Sequence, residues 1–218
     1  MEPTGVAGVF REGRDLYTVN ADRGARVYGE TLRVVGGVEY RQWDPFRSKL
    51  AAFLLRGPAS DTFGSVGGVL YLGGGHGTTV SHLSDMLPSA AIFVVEKSPT
   101  AFAPLLALSR RRTNLLPLLA DAQLPERYRA DVGEVDFLYQ DVAQRNQAGI
   151  FVENARACLV HGGRGLLMLK VRSVTQRGSA ASVVAQARAE LARAGLSVRS
   201  EVVLAPFSRE HVAFSVEY

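Results

Sequence analysis

The stretch Val69-Leu70-Tyr71-Leu72-Gly73-Gly74-Gly75-His76-Gly77-Thr78-Thr79 decides the fold of this chain. Four apolar residues read as a buried strand, the glycine-rich run as a tight turn, and the threonines as the start of a helix. A strand that feeds a helix through such a turn sets backbone amides and a helix N-terminus against a ligand. The glycines match part of a dinucleotide fingerprint, but Val80 stands where its last glycine would fall. By itself the loop also fits a glycine-rich turn that binds nothing.

Outward from the loop, apolar strands at 69–72, 92–95, 115–119, 135–139, 165–169, 198–204 and 212–216 alternate with helical stretches at 79–87, 100–110, 144–160 and 180–194. This alternation predicts parallel β-α-β units in a doubly wound α/β sheet. Only Ala205 to His211 separate the last two strands, too few for a crossover helix, so the sheet ends in an antiparallel pair. The expected fold is a Rossmann-like seven-stranded, mostly parallel sheet over residues 43–218. Residues 1–42 read as a small antiparallel β unit, with strands at 8–10, 16–19, 26–28 and 38–40 and turns at Glu12-Gly13, Asp22-Arg23-Gly24 and Gly36-Gly37. Asp44-Pro45 predicts a cap and first position for a helix over 46–55, with Lys49 in its second turn.

With 218 residues, 47% of them hydrophobic, the chain can bury a full core. No run reaches the ~18 apolar residues of a membrane span and no secretory signal opens the chain, so the expectation is a cytoplasmic protein without a membrane partner. The lone Cys158 excludes an internal disulfide and a cysteine-built metal site; it reads as a buried thiol, and no metal is expected. A net charge of +4 is compatible with a polyanionic partner without requiring one. Of 25 basic residues only Lys49, Lys97 and Lys170 are lysine. Arginine stays charged at any practical pH, whereas lysine can lose its proton and serve as a base.

Charged residues end several of the strands. Glu96 follows the second and can accept hydrogen bonds from both hydroxyls of an adenosyl ribose; Asp121, after the third, can accept one from the adenine amino group. Each acid also fits a simpler role as a cap for the helix that follows. Asp141 and Lys170 end the fourth and fifth strands, where an open α/β sheet forms its binding crevice, although a structural ion pair would place them there too.

The segments Tyr28-Gly29-Glu30, Tyr40-Arg41-Gln42-Trp43-Asp44-Pro45-Phe46-Arg47-Ser48-Lys49-Leu50-Ala51-Ala52, Gly77-Thr78-Thr79-Val80-Ser81-His82-Leu83-Ser84-Asp85, Arg112-Thr113-Asn114, Asp141-Val142-Ala143-Gln144 and Arg209-Glu210-His211, in this order and spacing, resemble archaeal members of the fibrillarin family over nearly the whole chain. The resemblance implies an S-adenosylmethionine-dependent RNA 2′-O-ribose methyltransferase of class I fold. It implies work on rRNA and tRNA inside a box C/D ribonucleoprotein, where guide RNA pairs with the target, a Nop-domain scaffold protein docks the enzyme and a kink-turn-binding protein of ribosomal type completes the particle. Carried over by motif, the catalytic set falls on Lys49, Asp141, Lys170 and His211. The cofactor set falls on Gly73, Gly75, Thr78, Thr79, Glu96, Asp121, Ala122, Asp141 and Gln144. The sequence shows no glycine- and arginine-rich N-terminal tail of the kind found in eukaryotic relatives, so the expectation is an archaeal rather than a nucleolar form.

Methyl transfer needs the 2′-oxygen in line with the sulfonium methyl while its proton departs. In one reading Lys170 takes that proton and Asp141 orients it; in the other Lys170 stays charged and stabilises the forming alkoxide, with water as the acceptor. His211 is either a direct participant or a hydrogen-bonded structural residue, and His76 either meets the methionine carboxylate or faces solvent. Three other functions remain open: a guide-independent methyltransferase, a non-catalytic structural subunit, and an NAD-binding Rossmann protein, the last opposed by the incomplete fingerprint and the antiparallel final pair.

Overall fold

The computed structural model describes residues 1–58, 62–174 and 179–218, without the side chains of residues 173 and 174. Five N-terminal strands, β1 (Glu2–Pro3), β2 (Val9–Glu12), β3 (Asp15–Val19), β4 (Leu32–Val35) and β5 (Val38–Trp43), form an antiparallel sheet in the order β1-β2-β3-β5-β4. Gly36 and Gly37 join β4 to β5 with φ of 59° and 83°, the doubly positive backbone of a tight hairpin. The strand expected at 26–28 is instead a loop. The Glu30 carboxylate accepts the amides of Val27 and Tyr28 at 3.0 and 2.9 Å, so these donors are satisfied without a sheet partner, and the strand forms later, in β4.

The larger sheet is built from β6 (Gly68–Leu72), β7 (Ala91–Glu96), β8 (Leu115–Leu119), β9 (Val135–Gln140), β10 (Leu159–Lys170), β11 (Ser197–Val203) and β12 (His211–Glu217) in the order β11-β12-β10-β9-β6-β7-β8. All neighbours are parallel except β12, which runs antiparallel to both β10 and β11. The helices are α1 (Lys49–Arg56), α2 (Thr78–Met86), α3 (Pro99–Ser109), α4 (Arg129–Val132), α5 (Gln147–Cys158), α6 (Val171–Val174) and α7 (Ala180–Arg193). Strand order reverses between β6 and β9, and their carboxyl ends open the crevice where such sheets bind ligands. Two apolar clusters flank the sheet; the one holding Val69, Tyr71, Phe137 and Phe53 also takes in Val9, Leu16 and Trp43 from the N-terminal strands.

The first helix starts later than Asp44-Pro45 predicts. Asp44 caps only a turn, its Oδ1 accepting Phe46 N at 2.8 Å, and β5 runs on to Trp43. The helix cap is Ser48, whose hydroxyl accepts Ala51 N at 3.3 Å, so Lys49 is the first helical residue and not a member of the second turn. Similarly α5 begins at Gln147, which leaves Asp141 to Asn146 as a loop across the end of the sheet.

A buried charge cluster joins the two sheets. Arg41, on β5, has no exposed side-chain surface; it pairs with Glu30 at 2.6 Å and with Asp85 of α2, and donates to Ser81 at 3.0 Å. Asp85 also pairs with Arg112 at 3.2 Å and accepts the amide of Ala21 at 3.1 Å. Removing one member of a buried pair strands its partner without solvent, at about 3–5 kcal/mol. Asp85→Ala is therefore expected to lower unfolding stability by about that amount in urea titration; a loss within ~0.5 kcal/mol, normal for a surface change, would show that the cluster is dispensable.

Candidate active site

The loop between β6 and α2 is shaped by what its glycines permit. Gly73 has φ 87°, and a Cβ there would run into the carbonyl oxygen of Asp141; Gly77 caps α2 at φ 88°. Gly77 has no side chain to cap the helix, and the first helical bond runs from Ser81 N to Gly77 O. Amides of the first turn thus face the crevice with the positive end of the helix dipole.

On one side of this loop lies a cavity of about 410 Å³, lined by Gly73, Gly75, Glu96, Lys97, Ala122 and Gln144, among others. Glu96 accepts the amides of Gly75 and Ser98, each at 2.8 Å. A carboxylate takes about four hydrogen bonds, so it has room for a vicinal diol. Asp121 accepts Gln123 N at 3.0 Å and Gln144 Nε2 at 3.2 Å, and lies 3.8 Å from the Lys97 ammonium. The Gln123 amide holds its carboxyl below the ordinary value, against burial and with help from Gln144 and Lys97. The lysine without a role in the sequence reading thus borders the cavity. Its adjacency to Glu96 was the only signal for it.

On the other side a cavity of about 340 Å³ brings together Lys49, Asp141, Lys170 and His211, four residues from separate elements. Lys49 Nζ lies 2.7 Å from Asp141 Oδ2. A cation at the first position of a helix opposes the dipole, and the first turn of α1 contains no acid; Asp141 supplies the compensating charge from across the crevice. Asp141 therefore pairs with Lys49, whereas one of the two readings of the sequence has it orient Lys170. Lys170 ends β10 opposite His211 of β12, and the buried Gln147 amide clamps its backbone, accepting Lys170 N at 2.8 Å and donating to Lys170 O at 3.2 Å. His211 Nδ1 meets Ser208 Oγ at 2.8 Å; burial, then Lys49 and Lys170, push its pKa down to about 4. It is neutral at pH 7. Thr78 and Thr79, expected on the cofactor, line this second cavity, as does the exposed His76. Tyr71 also lines it, a residue the sequence reading placed only in a strand; burial and then the Asp141 charge raise its pKa. Gly73, Gly75, Asp141, Val142 and Ala143 line both cavities, so the two share a wall at the loop.

The fibrillarin family model matches residues 2–218. The chain belongs to the fibrillarin family. It is 39% identical over 216 residues to the fibrillarin-like rRNA/tRNA 2′-O-methyltransferase of Methanothermobacter thermautotrophicus, covering 99% of this chain and 96% of that one. Among solved structures it is similar to Aeropyrum pernix fibrillarin crystallised with natively bound S-adenosylmethionine, at TM-score 0.86 and 41% identity over 93% of this chain and 88% of that one. It is similar also to the fibrillarin of a fibrillarin/Nop5p complex, at TM-score 0.86 and 36% identity over 99% of both chains. An O-methyltransferase family protein of Burkholderia thailandensis, at TM-score 0.53 and 17% identity over 72% of this chain and 52% of that one, shares the fold.

Two measurements check this site. In this chain Gly73→Ala combines a left-handed backbone with a collision against Asp141, so it is expected to weaken adenosyl-ligand binding at least tenfold by calorimetry; unchanged affinity would show that the loop can shift away. His211 stays neutral when folded but takes a proton when unfolded below about pH 6.5. Its contribution to stability therefore falls as pH drops from about 6.5 to about 4. Urea midpoints of His211→Asn should decline less over that window than those of the parent, and equal declines would remove His211 as a contributor.

Proposed function

We propose that this chain is an S-adenosylmethionine-dependent RNA 2′-O-ribose methyltransferase that acts on rRNA and tRNA within a guide-RNA box C/D ribonucleoprotein. The observation that carries the reading is the meeting of Lys49, Asp141, Lys170 and His211 in one cavity that shares a wall with a second one suited to an adenosyl group. Glu96 would hold the ribose hydroxyls and Asp121 the adenine amino group, with Ala122 and Gln144 beside the base. Gly73, Gly75, Thr78 and Thr79 would hold the methionyl end at the start of α2. When bound, S-adenosylmethionine supplies a methyl group made electrophilic by its sulfonium.

The protein's task is to place one ribose hydroxyl against that methyl and remove its proton. Lys49, held by Asp141, fixes a positive charge where negative charge grows on the oxygen. Lys170, immobilised at the end of β10 by Gln147, takes the proton, a task lysine can perform and arginine cannot. Neutral His211 contributes a hydrogen-bonding edge, oriented by Ser208, without adding a third cation.

Target choice comes from guide pairing, because the sequence carries no RNA-recognition module of its own. A Nop-domain scaffold protein docks the enzyme and a kink-turn-binding protein completes the particle, which works in the cytoplasm. Among the described residues no helix is long and apolar enough to cross a membrane.

Single-turnover methylation by the reconstituted particle tests the reading. Activity should require guide RNA, and Asp141→Ala and Lys170→Arg should each cost about 10²–10⁴-fold. Full activity in Lys170→Arg would eliminate it as the base and leave charge stabilisation. Methylation of isolated target without guide would favour a guide-independent enzyme.

A further inference from the structure

Phe46 is 68% exposed, the most exposed of the large apolar side chains among the described residues, and it is not isolated. Its ring meets that of Phe207 edge to face, with centroids 5.1 Å apart and planes at 72°. Phe207 is half-buried against the core, so it forms a fixed support, while Phe46 keeps a face toward solvent. Scattered surface hydrophobics are ordinary. The position of this pair is not.

Phe46 belongs to the turn that ends at Lys49, three residues on and at most about 11 Å away along the chain. Phe207 directly precedes Ser208, the partner of His211. The two loops that deliver Lys49 and His211 to the cavity therefore touch each other through these rings, three residues before Lys49 and four before His211 along the chain. Arg47 and Arg209, both exposed, belong to the same two loops, and Arg47 is fixed over the Tyr28 ring at 5.0 Å. An aromatic face flanked by cations beside a site for a ribose hydroxyl matches what a single nucleotide presents: a base to stack and phosphates to neutralise.

We infer that Phe46, backed by Phe207, is a stacking platform for the nucleobase next to the ribose being methylated, a positioning subsite that holds the target strand as it enters the cavity. The inference rests on the ribose-methyltransferase reading above. Stacking on an aromatic ring is sequence-tolerant, because every base has a π-face, and so is compatible with targets chosen by guide pairing.

The test uses the reconstituted particle and target RNAs carrying 2-aminopurine on the 5′ or the 3′ side of the target nucleotide. The parent particle should quench one of the two probes, and Phe46→Ala should abolish that quenching. Phe46→Ala should also weaken target binding about five- to a hundredfold. Phe46→Trp should restore both, and affinity for S-adenosylmethionine should not change. Absence of quenching in the parent at both positions, or equal quenching in Phe46→Ala, overturns the inference. Loss of scaffold-protein co-purification in Phe46→Ala would assign the pair to protein docking and overturn it as well. Quenching without methyl transfer in the parent would instead sink the methyltransferase reading and leave the platform standing.

Discussion

Everything at the reacting end of this molecule depends on the buried pairing of Arg41 with Asp85. Two charges taken out of water are tolerable only when each meets the other with good geometry and all remaining polar atoms find partners. Arg41 therefore cannot stay buried unless β5 lies against α2, and α2 cannot shift without exposing or orphaning Asp85. The glycine loop is the start of that same helix, four residues before Ser81, which Arg41 also contacts. Fixing the N-terminal sheet thus fixes the cofactor loop. His82 completes the joint: stacked on Trp43 at 4.8 Å, it bridges Thr18 at 2.8 Å and Tyr28 at 2.7 Å. Burial, with Arg41 and Arg112 nearby, drives its pKa well below the ordinary value. A charged imidazole would be a third cation in a closed space, so the ring acts as a neutral connector.

Much of the fold was legible because the larger sheet repeats one pattern. Apolar strands alternate with helices, and strand ends are marked by residues that packing cannot explain, such as Glu96, Asp141 and Lys170. Neutral ends were harder: β10 starts at Leu159, where the pattern showed only 165–169, because Gly162 and Gly163 interrupt the apolar run and break the register against β9. The start of α1 differs from the expectation for a local reason. Asp44-Pro45 is a strong helix opening by composition, but the same residues also make a turn, and Ser48 offers a second cap three residues before Ala51. Local sequence cannot choose between two caps; continuation of β5 to Trp43, whose side chain has no exposed surface, decides it. The loop at 26–28 and the strand β4 turn on a side chain, Glu30, that satisfies two amides from outside the sheet.

The site was legible as a set and not as a network. Sequence position marks residues at the ends of strands; it does not say which of two lysines a carboxylate will meet. The structure pairs Asp141 with Lys49, and the reason lies in helix electrostatics. Lys49 at the first position of α1 feels the positive end of the dipole, and its first turn offers no acid to offset it. Lys170 lies between the end of β10 and the start of α6, a single turn whose summed dipole is smaller than that of the eight-residue α1. The carboxylate relieves the larger of the two unfavourable fields.

One residue, Asp141, consequently serves three purposes. Its side chain neutralises the start of α1, its backbone carbonyl sets the limit that only glycine at 73 can meet, and its amide donates to Leu72 O at 2.9 Å, tying the end of β9 to that of β6. These contacts lie at the point where the strand order reverses, between the two cavities. Any movement that separated Asp141 from Lys49 would also pull on the wall shared by both cavities. In the proposed function, the spacing between an adenosyl ligand on one side and a ribose hydroxyl on the other would thus be set by backbone packing at a single junction, and the side chains around it would need to supply only charge and protons.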